Sequence, residues 1–115
     1  MRKHTISFIN AFKGIWTAVY TQPNLRIHFV VGSLVLFFAS YFQLSFDKVV
    51  DLILAIMVVM VAEMINTSIE FLSDAVTLEQ NEHIKLAKDV SAGAVLVSTI
   101  FAIIIGIVIF LPVLI

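Results

Sequence analysis

Three apolar runs of membrane-spanning length follow one another along the chain, separated by short polar connections. They run from about residue 25 to 44, from 49 to 76 and from 84 to 112. A helix needs about 20 predominantly apolar residues to cross the hydrocarbon core of a bilayer. The pattern therefore predicts an all-α protein with three transmembrane helices.

The second run turns polar on one side only. At about 100° per residue, six polar side chains of its second half fall within about 60° of one direction: Glu63, Asn66, Thr67, Glu70, Asp74 and Thr77. A charged residue in a membrane span is costly and usually faces a protein interior or a water-filled cavity. The stripe therefore indicates a functional site. The alternative is polar contact between helices together with a solvated helix end.

Residues of about 2–21 follow a different pattern, with apolar side chains on one arc and polar ones opposite. The apolar arc consists of Phe8, Ile9, Phe12, Ile15, Trp16, Val19 and Tyr20. Such a pattern is typical of an amphipathic helix that lies in the membrane interface. A signal peptide is the alternative, but Asn10 and Lys13 interrupt the apolar stretch and no small-residue cleavage site follows.

Composition supports a membrane protein with a single domain, residues 1–115. The chain is 61% hydrophobic and 13% charged, with a mean hydropathy of +1.08, which excludes an ordinary soluble domain. It has no cysteine, so disulfides and thiolate chemistry are excluded. A net charge of −1 with seven basic residues gives no indication of nucleic-acid binding.

Basic residues are distributed unequally between the two sides of the predicted spans. Only Lys48 lies on one side, and the other side carries Arg2, Lys3, Lys13, Arg26, Lys85 and Lys88. The positive-inside rule places this second group in the cytoplasm. The polar stripe is therefore expected to open toward the cytosol.

The carboxylates of the stripe suggest phosphoryl transfer. Carboxylates suit Mg²⁺ carried by a phosphate-bearing substrate, and nearby cations (Arg26, Lys85, Lys88) can neutralise phosphate oxygens. Glu63 is the deepest carboxylate, which makes it the candidate general base for a lipid hydroxyl, and Glu70 is the candidate metal ligand. The sequence contains neither of the common glycine-rich nucleotide-binding loops.

Two segments, AEMINTSIEFLSDAV and HIKLAKDVSAGAVLV, resemble the prokaryotic diacylglycerol kinase and undecaprenol kinase family of small integral-membrane lipid kinases. The family signature has the form E-x-x-N-[ST]-x-I-E-x-x-x-D followed by A-K-D. The chain matches it at Glu63, Asn66, Thr67, Ile69, Glu70, Asp74, Ala87, Lys88 and Asp89. The similarity extends over nearly the whole chain and includes AFKGI at 11–15 and NLRIH at 24–28.

This resemblance implies a homotrimer of three-span subunits in the bacterial cytoplasmic membrane. It implies transfer of the terminal phosphate of ATP, with Mg²⁺, to a membrane alcohol. Glu63 would be the base, Glu70 a metal ligand and Asn66 an orienting contact. The nucleotide would be bound by Asp74, Lys88 and Asp89. The same site would be surrounded by Lys13, Gly14, Asn24, Arg26 and His28.

The chain departs from the family pattern at one metal-binding position. Gln22 stands where the family has a glutamate, and Pro23 follows it. Glutamine keeps a carbonyl oxygen but loses the charge, so we expect weaker binding of the metal at this position. Either the metal relies on Glu70 and the ATP phosphates, or the catalytic rate is low, or the chain is an inactive relative. We favour a working but weakened site.

The sequence leaves open which lipid is the substrate and which class of function the protein has. NLRIH and AKDVSAGAVLV look more like undecaprenol kinases of Gram-positive bacteria, so undecaprenol is expected first and diacylglycerol second. A small ion or proton transporter would use the same acidic stripe as a relay. A purely structural membrane subunit would tolerate the loss of Glu63.

Overall fold

A computed structural model describes residues 7–115 of the chain. This part is helical, with α1 at Phe8–Thr21, α2 at Pro23–Tyr41, α3 at Phe46–Val76 and α4 at Glu82–Leu114. By length and composition, α2, α3 and α4 can each cross a membrane. The predicted all-helical architecture with three candidate spans is therefore confirmed.

Local side-chain chemistry sets the helix boundaries. The Ser7 hydroxyl accepts hydrogen bonds from the backbone N–H groups of residues 9 and 10 at the start of α1. The Asn81 side chain does the same for residues 83 and 84 at the start of α4, and both are preferred N-cap residues. Pro23 begins α2, a position where its missing N–H is harmless. Gln43 adopts a φ of 53°, so α2 ends at Tyr41, three residues before the end of the predicted span.

Helix α3 is the centre of the fold. It packs most extensively against α4, and it also contacts α2 and α1. Near the α2–α3 turn, Ala39, Leu52 and Ile109 form a buried apolar cluster contributed by three helices. Most other large apolar side chains of α2–α4 are exposed on the single chain, as expected of helices surrounded by hydrocarbon or by other subunits.

Arg26 fixes the elbow between α1 and α2. Its Nη1 donates hydrogen bonds to the backbone carbonyls of Val19, at 2.7 Å, and Tyr20, at 2.9 Å. These carbonyls belong to the last turn of α1, where no intrahelical N–H is available. The first residues of the predicted interfacial helix, 2–6, lie outside the described part of the chain. The location of α1 in the membrane interface stays a prediction.

Candidate active site

The second half of α3 buries polar side chains instead of apolar ones. Glu63 is 3% exposed, Thr67 4% and Asn66 9%. They belong to the polar stripe predicted from the sequence, and they lie against the other helices of the chain. Ser73 is also buried, although it lies outside the arc that defined the stripe.

Glu63 lies between α3 and α2. Its Oε2 is 3.3 Å from Nε2 of His28 on α2. The Thr67 hydroxyl donates to the backbone carbonyl of Glu63 at 2.9 Å, within α3. The structure therefore brings His28, which the family resemblance placed around the site, into contact with the candidate base.

Asn66 connects the stripe to α4. Its Oδ1 accepts a hydrogen bond from the Ser91 hydroxyl at 2.6 Å, and its Nδ2 donates to Oε2 of Glu70 at 3.4 Å. Glu70 itself is half-buried. Ser91 was not among the predicted site residues, because a serine in an apolar helix commonly bonds backbone carbonyls or an adjacent helix. Ser91 lies three residues after Lys88, in the same segment as A-K-D. This position was the one sequence feature that could have indicated that Ser91 is near the site.

The cations predicted to bind phosphate already have partners on the protein. Lys88 Nζ lies 3.4 Å from Oδ1 of Asp74, which joins α4 to α3. Lys85 Nζ lies 2.7 Å from Oδ2 of Asp89, one turn further along α4. Both pairs are exposed. Exposed pairs contribute about 0–1 kcal/mol, so a phosphate group can replace either carboxylate at small cost.

The remaining predicted residues lie in the middle of α1, between α1 and α2, and at the start of α2. Lys13 and Gly14 are exposed on α1, and Asn24 is exposed on α2. Gln22 is half-buried between the two helices, with Nε2 3.5 Å from the Thr21 hydroxyl. Within residues 7–115, no side-chain hydrogen bond or ion pair joins these four to the polar stripe of α3.

The donor set fits a Mg²⁺ ion that arrives with a nucleotide. Among residues 7–115, no group of three or more His, Asp or Glu side chains is arranged to hold a metal. Mg²⁺ is usually held by one or two carboxylates plus substrate phosphates and water, not by a cage of protein ligands. The half-buried Glu70 carboxylate, held at one oxygen by an amide, has the chemistry of such a site.

The fold and this cluster define a class: small helical membrane proteins that bury carboxylate and amide side chains between their spans. The family model described as prokaryotic diacylglycerol kinase matches residues 9–110, and the chain belongs to that family. The membership predicted from the sequence is confirmed.

Two curated relatives are similar over most of the chain. A diacylglycerol kinase of Synechocystis sp. is 40% identical over 109 residues, which are 93% of this chain and 62% of the relative. An undecaprenol kinase of Bacillus subtilis is 36% identical over 106 residues, which are 92% of this chain and 86% of the relative. The chain therefore spans less than two thirds of the Synechocystis protein and most of the Bacillus one.

Proposed function

We propose that this chain is a lipid kinase that transfers the terminal phosphate of ATP to the hydroxyl of a membrane lipid. The observation that carries the proposal is the burial of Glu63 beside His28, on the same face of α3 as Asn66 and Glu70. Two similar relatives carry the names of lipid kinases. A positioned base for the hydroxyl and a carboxylate that can hold a metal are groups that such a transfer uses.

Glu63 is proposed as the general base. It precedes Glu70 by seven residues, which places it about 10 Å further along α3 and deeper in the predicted span. A lipid hydroxyl cannot travel far from the bilayer, so the deeper carboxylate is the one it can reach. Glu63 accepts the hydroxyl proton as the hydroxyl oxygen attacks the terminal phosphorus, and ADP leaves with the electron pair of the broken bond.

Glu70 is proposed to hold Mg²⁺, with Gln22 as a weaker contributor. Mg²⁺ supplies charge neutralisation on the transferred phosphate and its leaving group. Asn66 orients Glu70 through the hydrogen bond already described. Lys88, Asp74 and Asp89 are proposed to bind the nucleotide by exchanging their exposed ion pairs for contacts with ATP. Lys13, Gly14, Asn24, Arg26 and His28 are proposed to surround the same site.

Undecaprenol is the proposed lipid, with diacylglycerol second. The support is the resemblance of the NLRIH and AKDVSAGAVLV segments to undecaprenol kinases. The Bacillus undecaprenol kinase is also matched over a larger share of its own length than the Synechocystis relative. Gln22 leads us to propose a site that works but needs more magnesium.

The proposed setting is a homotrimer in the bacterial cytoplasmic membrane, with α1 in the interface and the N-terminus and site on the cytoplasmic side. The excess of basic residues on that side supports the orientation. Three spans cannot enclose the polar side of α3 alone, and Asp74 remains exposed on the single chain. Neighbouring subunits can separate this side from lipid.

A detergent-micelle assay with γ-labelled ATP tests the proposal. The purified full chain is given undecaprenol or diacylglycerol at equal mole fraction, with Mg²⁺. We expect labelled lipid from both alcohols, with the higher kcat/KM for undecaprenol. A folded sample that labels neither alcohol would contradict the proposal, and ATP-independent proton flux in proteoliposomes would instead support a transporter.

A further inference from the structure

Ser91 makes the one side-chain hydrogen bond described between α4 and the buried part of the polar stripe within residues 7–115. Its hydroxyl has two acceptors in reach, Oδ1 of Asn66 at 2.6 Å and the backbone carbonyl of Lys88 at 3.1 Å. A serine hydroxyl has a single proton to donate. The shorter contact identifies Asn66 as the acceptor, so the bond connects two helices instead of closing on α4 itself.

The Glu70 carboxylate selects one orientation of the Asn66 amide, because it can only accept, whereas the Ser91 hydroxyl can donate or accept. With Oδ1 turned to Ser91, the N–H₂ end faces Oε2 of Glu70 at 3.4 Å. The reversed amide would put an oxygen against the carboxylate oxygen of Glu70, and neither atom could donate. The Ser91 hydroxyl then holds the amide oxygen in place from α4, while the N–H₂ end stays directed at the carboxylate on α3.

We propose that Ser91 is a positioning residue which, through Asn66, fixes the Glu70 carboxylate for the divalent cation bound with the nucleotide. The inference rests on the proposed function, because it takes Glu70 as the metal ligand. Partners that orient a ligating carboxylate typically change metal affinity by about 10–100-fold when they are removed. Ser91 should therefore act on metal affinity without touching metal, nucleotide or lipid.

Ser98 offers a matched control on the same helix. Its hydroxyl donates to the backbone carbonyl of Ala94 at 2.9 Å, so it bonds only within α4. Ser98→Ala removes a hydroxyl of the same kind and leaves the bond between α3 and α4 intact. Ser91→Thr keeps a hydroxyl at position 91, so this conservative substitution should retain the metal affinity that Ser91→Ala loses.

The test is a Mn²⁺ binding titration followed by electron paramagnetic resonance, with a non-hydrolysable ATP analogue and the full chain in detergent. We expect Ser91→Ala to raise the Kd for Mn²⁺ about tenfold. Ser91→Thr and Ser98→Ala should stay within twofold of the wild type. Because Ser91 acts through Asn66, adding Ser91→Ala to Asn66→Ala should change the Kd no further.

Equal Mn²⁺ affinity in Ser91→Ala and the wild type overturns the inference, and so does a wild type that binds no Mn²⁺. An equal loss of affinity in Ser98→Ala also overturns it, because the effect would then not depend on Asn66. The binding result is independent of turnover. If the expected Mn²⁺ pattern appears but no lipid is phosphorylated, the inference stands and the proposed function fails. If lipid is phosphorylated but Mn²⁺ affinity is unchanged in Ser91→Ala, the proposed function stands and the inference about Ser91 fails.

Discussion

The two halves of α3 bury different kinds of side chain against the same neighbouring helices. Near its start, Leu52 and Val59 are buried, and Leu52 joins a cluster with Ala39 and Ile109. Toward its end, the buried positions are Glu63, Asn66, Thr67 and Ser73. One continuous helix therefore carries a packing region and a polar region.

We expect the first half of α3 to contribute mainly to stability and the second half mainly to the proposed chemistry. In a membrane, helix association depends on close van der Waals packing and on hydrogen bonds between helices. The apolar half supplies packing, and the polar half supplies side chains whose chemistry suits a metal and a proton. Substitutions in the two halves should therefore have different consequences.

The largest effect on the Mg²⁺ requirement is expected at Glu70. Glu70→Gln removes the charge that holds Mg²⁺, so the Mg²⁺ concentration for half-maximal lipid phosphorylation should rise roughly 100-fold, the upper end of the losses seen when ligand environments are altered. The measurement is a Mg²⁺ titration at saturating lipid. Glu79→Gln, on the exposed connection between α3 and α4, is the matched control and should behave as the wild type. An unchanged Mg²⁺ requirement in Glu70→Gln would remove it as the metal ligand.

A stability effect without a catalytic one is expected at Leu52, which is 2% exposed. Leu52→Ala should lower the free energy of unfolding by about 2 kcal/mol, the low end for buried leucines because lipid provides no hydrophobic drive. The rate per folded molecule should not change. Denaturation in mixed micelles and active-site-normalised rates measure the two quantities. Leu54→Ala, at a site that is 56% exposed, should cost much less, and equal losses at both positions would contradict the assignment of the core.

A gain is expected at the α1–α2 elbow. Gln22→Glu adds a carboxylate near the proposed metal, worth about 1 kcal/mol for a solvated charge pair. The Mg²⁺ requirement should therefore fall about fivefold. Asn24→Asp adds the same charge two residues away and should have less effect. Identical Mg²⁺ titrations for Gln22→Glu and the wild type would exclude Gln22 from the metal site.

The smallest effect is expected at Arg26. Arg26→Leu removes the cation that binds the carbonyls of Val19 and Tyr20, and a cation at a helix C-terminus contributes about 0.3–1 kcal/mol. Hydrogen exchange should show faster opening in the last turn of α1, by a factor of about two to five, with α3 unaffected. Unchanged exchange in that turn would show that Arg26 does not hold the elbow.

The sequence predicted the helices and the polar stripe well because both follow from periodicity. Apolar length identified the spans, and the spacing of Glu63, Asn66 and Glu70 placed them on one face. Periodicity cannot show which neighbouring helix meets that face. The contact of His28 with Glu63 and the bond from Ser91 to Asn66 depend on how α2 and α4 pack against α3.

The contact of Arg26 with α1 was also beyond single-residue reasoning. In the structure the guanidinium of Arg26 binds the end of α1, and its predicted contact with phosphate oxygens stays a prediction. The last turn of a helix and a bound phosphate both present oxygen acceptors to an arginine. Only the three-dimensional arrangement shows that the carbonyls of Val19 and Tyr20 are within reach of Arg26.

The most direct test of the account is the rate of phosphate transfer from ATP to undecaprenol in Glu63→Gln, at saturating Mg²⁺ and relative to the wild type and Glu79→Gln. The substitution keeps the shape of the side chain and removes its ability to accept a proton. We predict that the rate per folded molecule falls by about 10²–10⁴, the usual contribution of a general base, while the unfolding midpoint stays near that of the wild type. A rate equal to that of Glu79→Gln would contradict the claim that the buried carboxylate of α3 performs the chemistry.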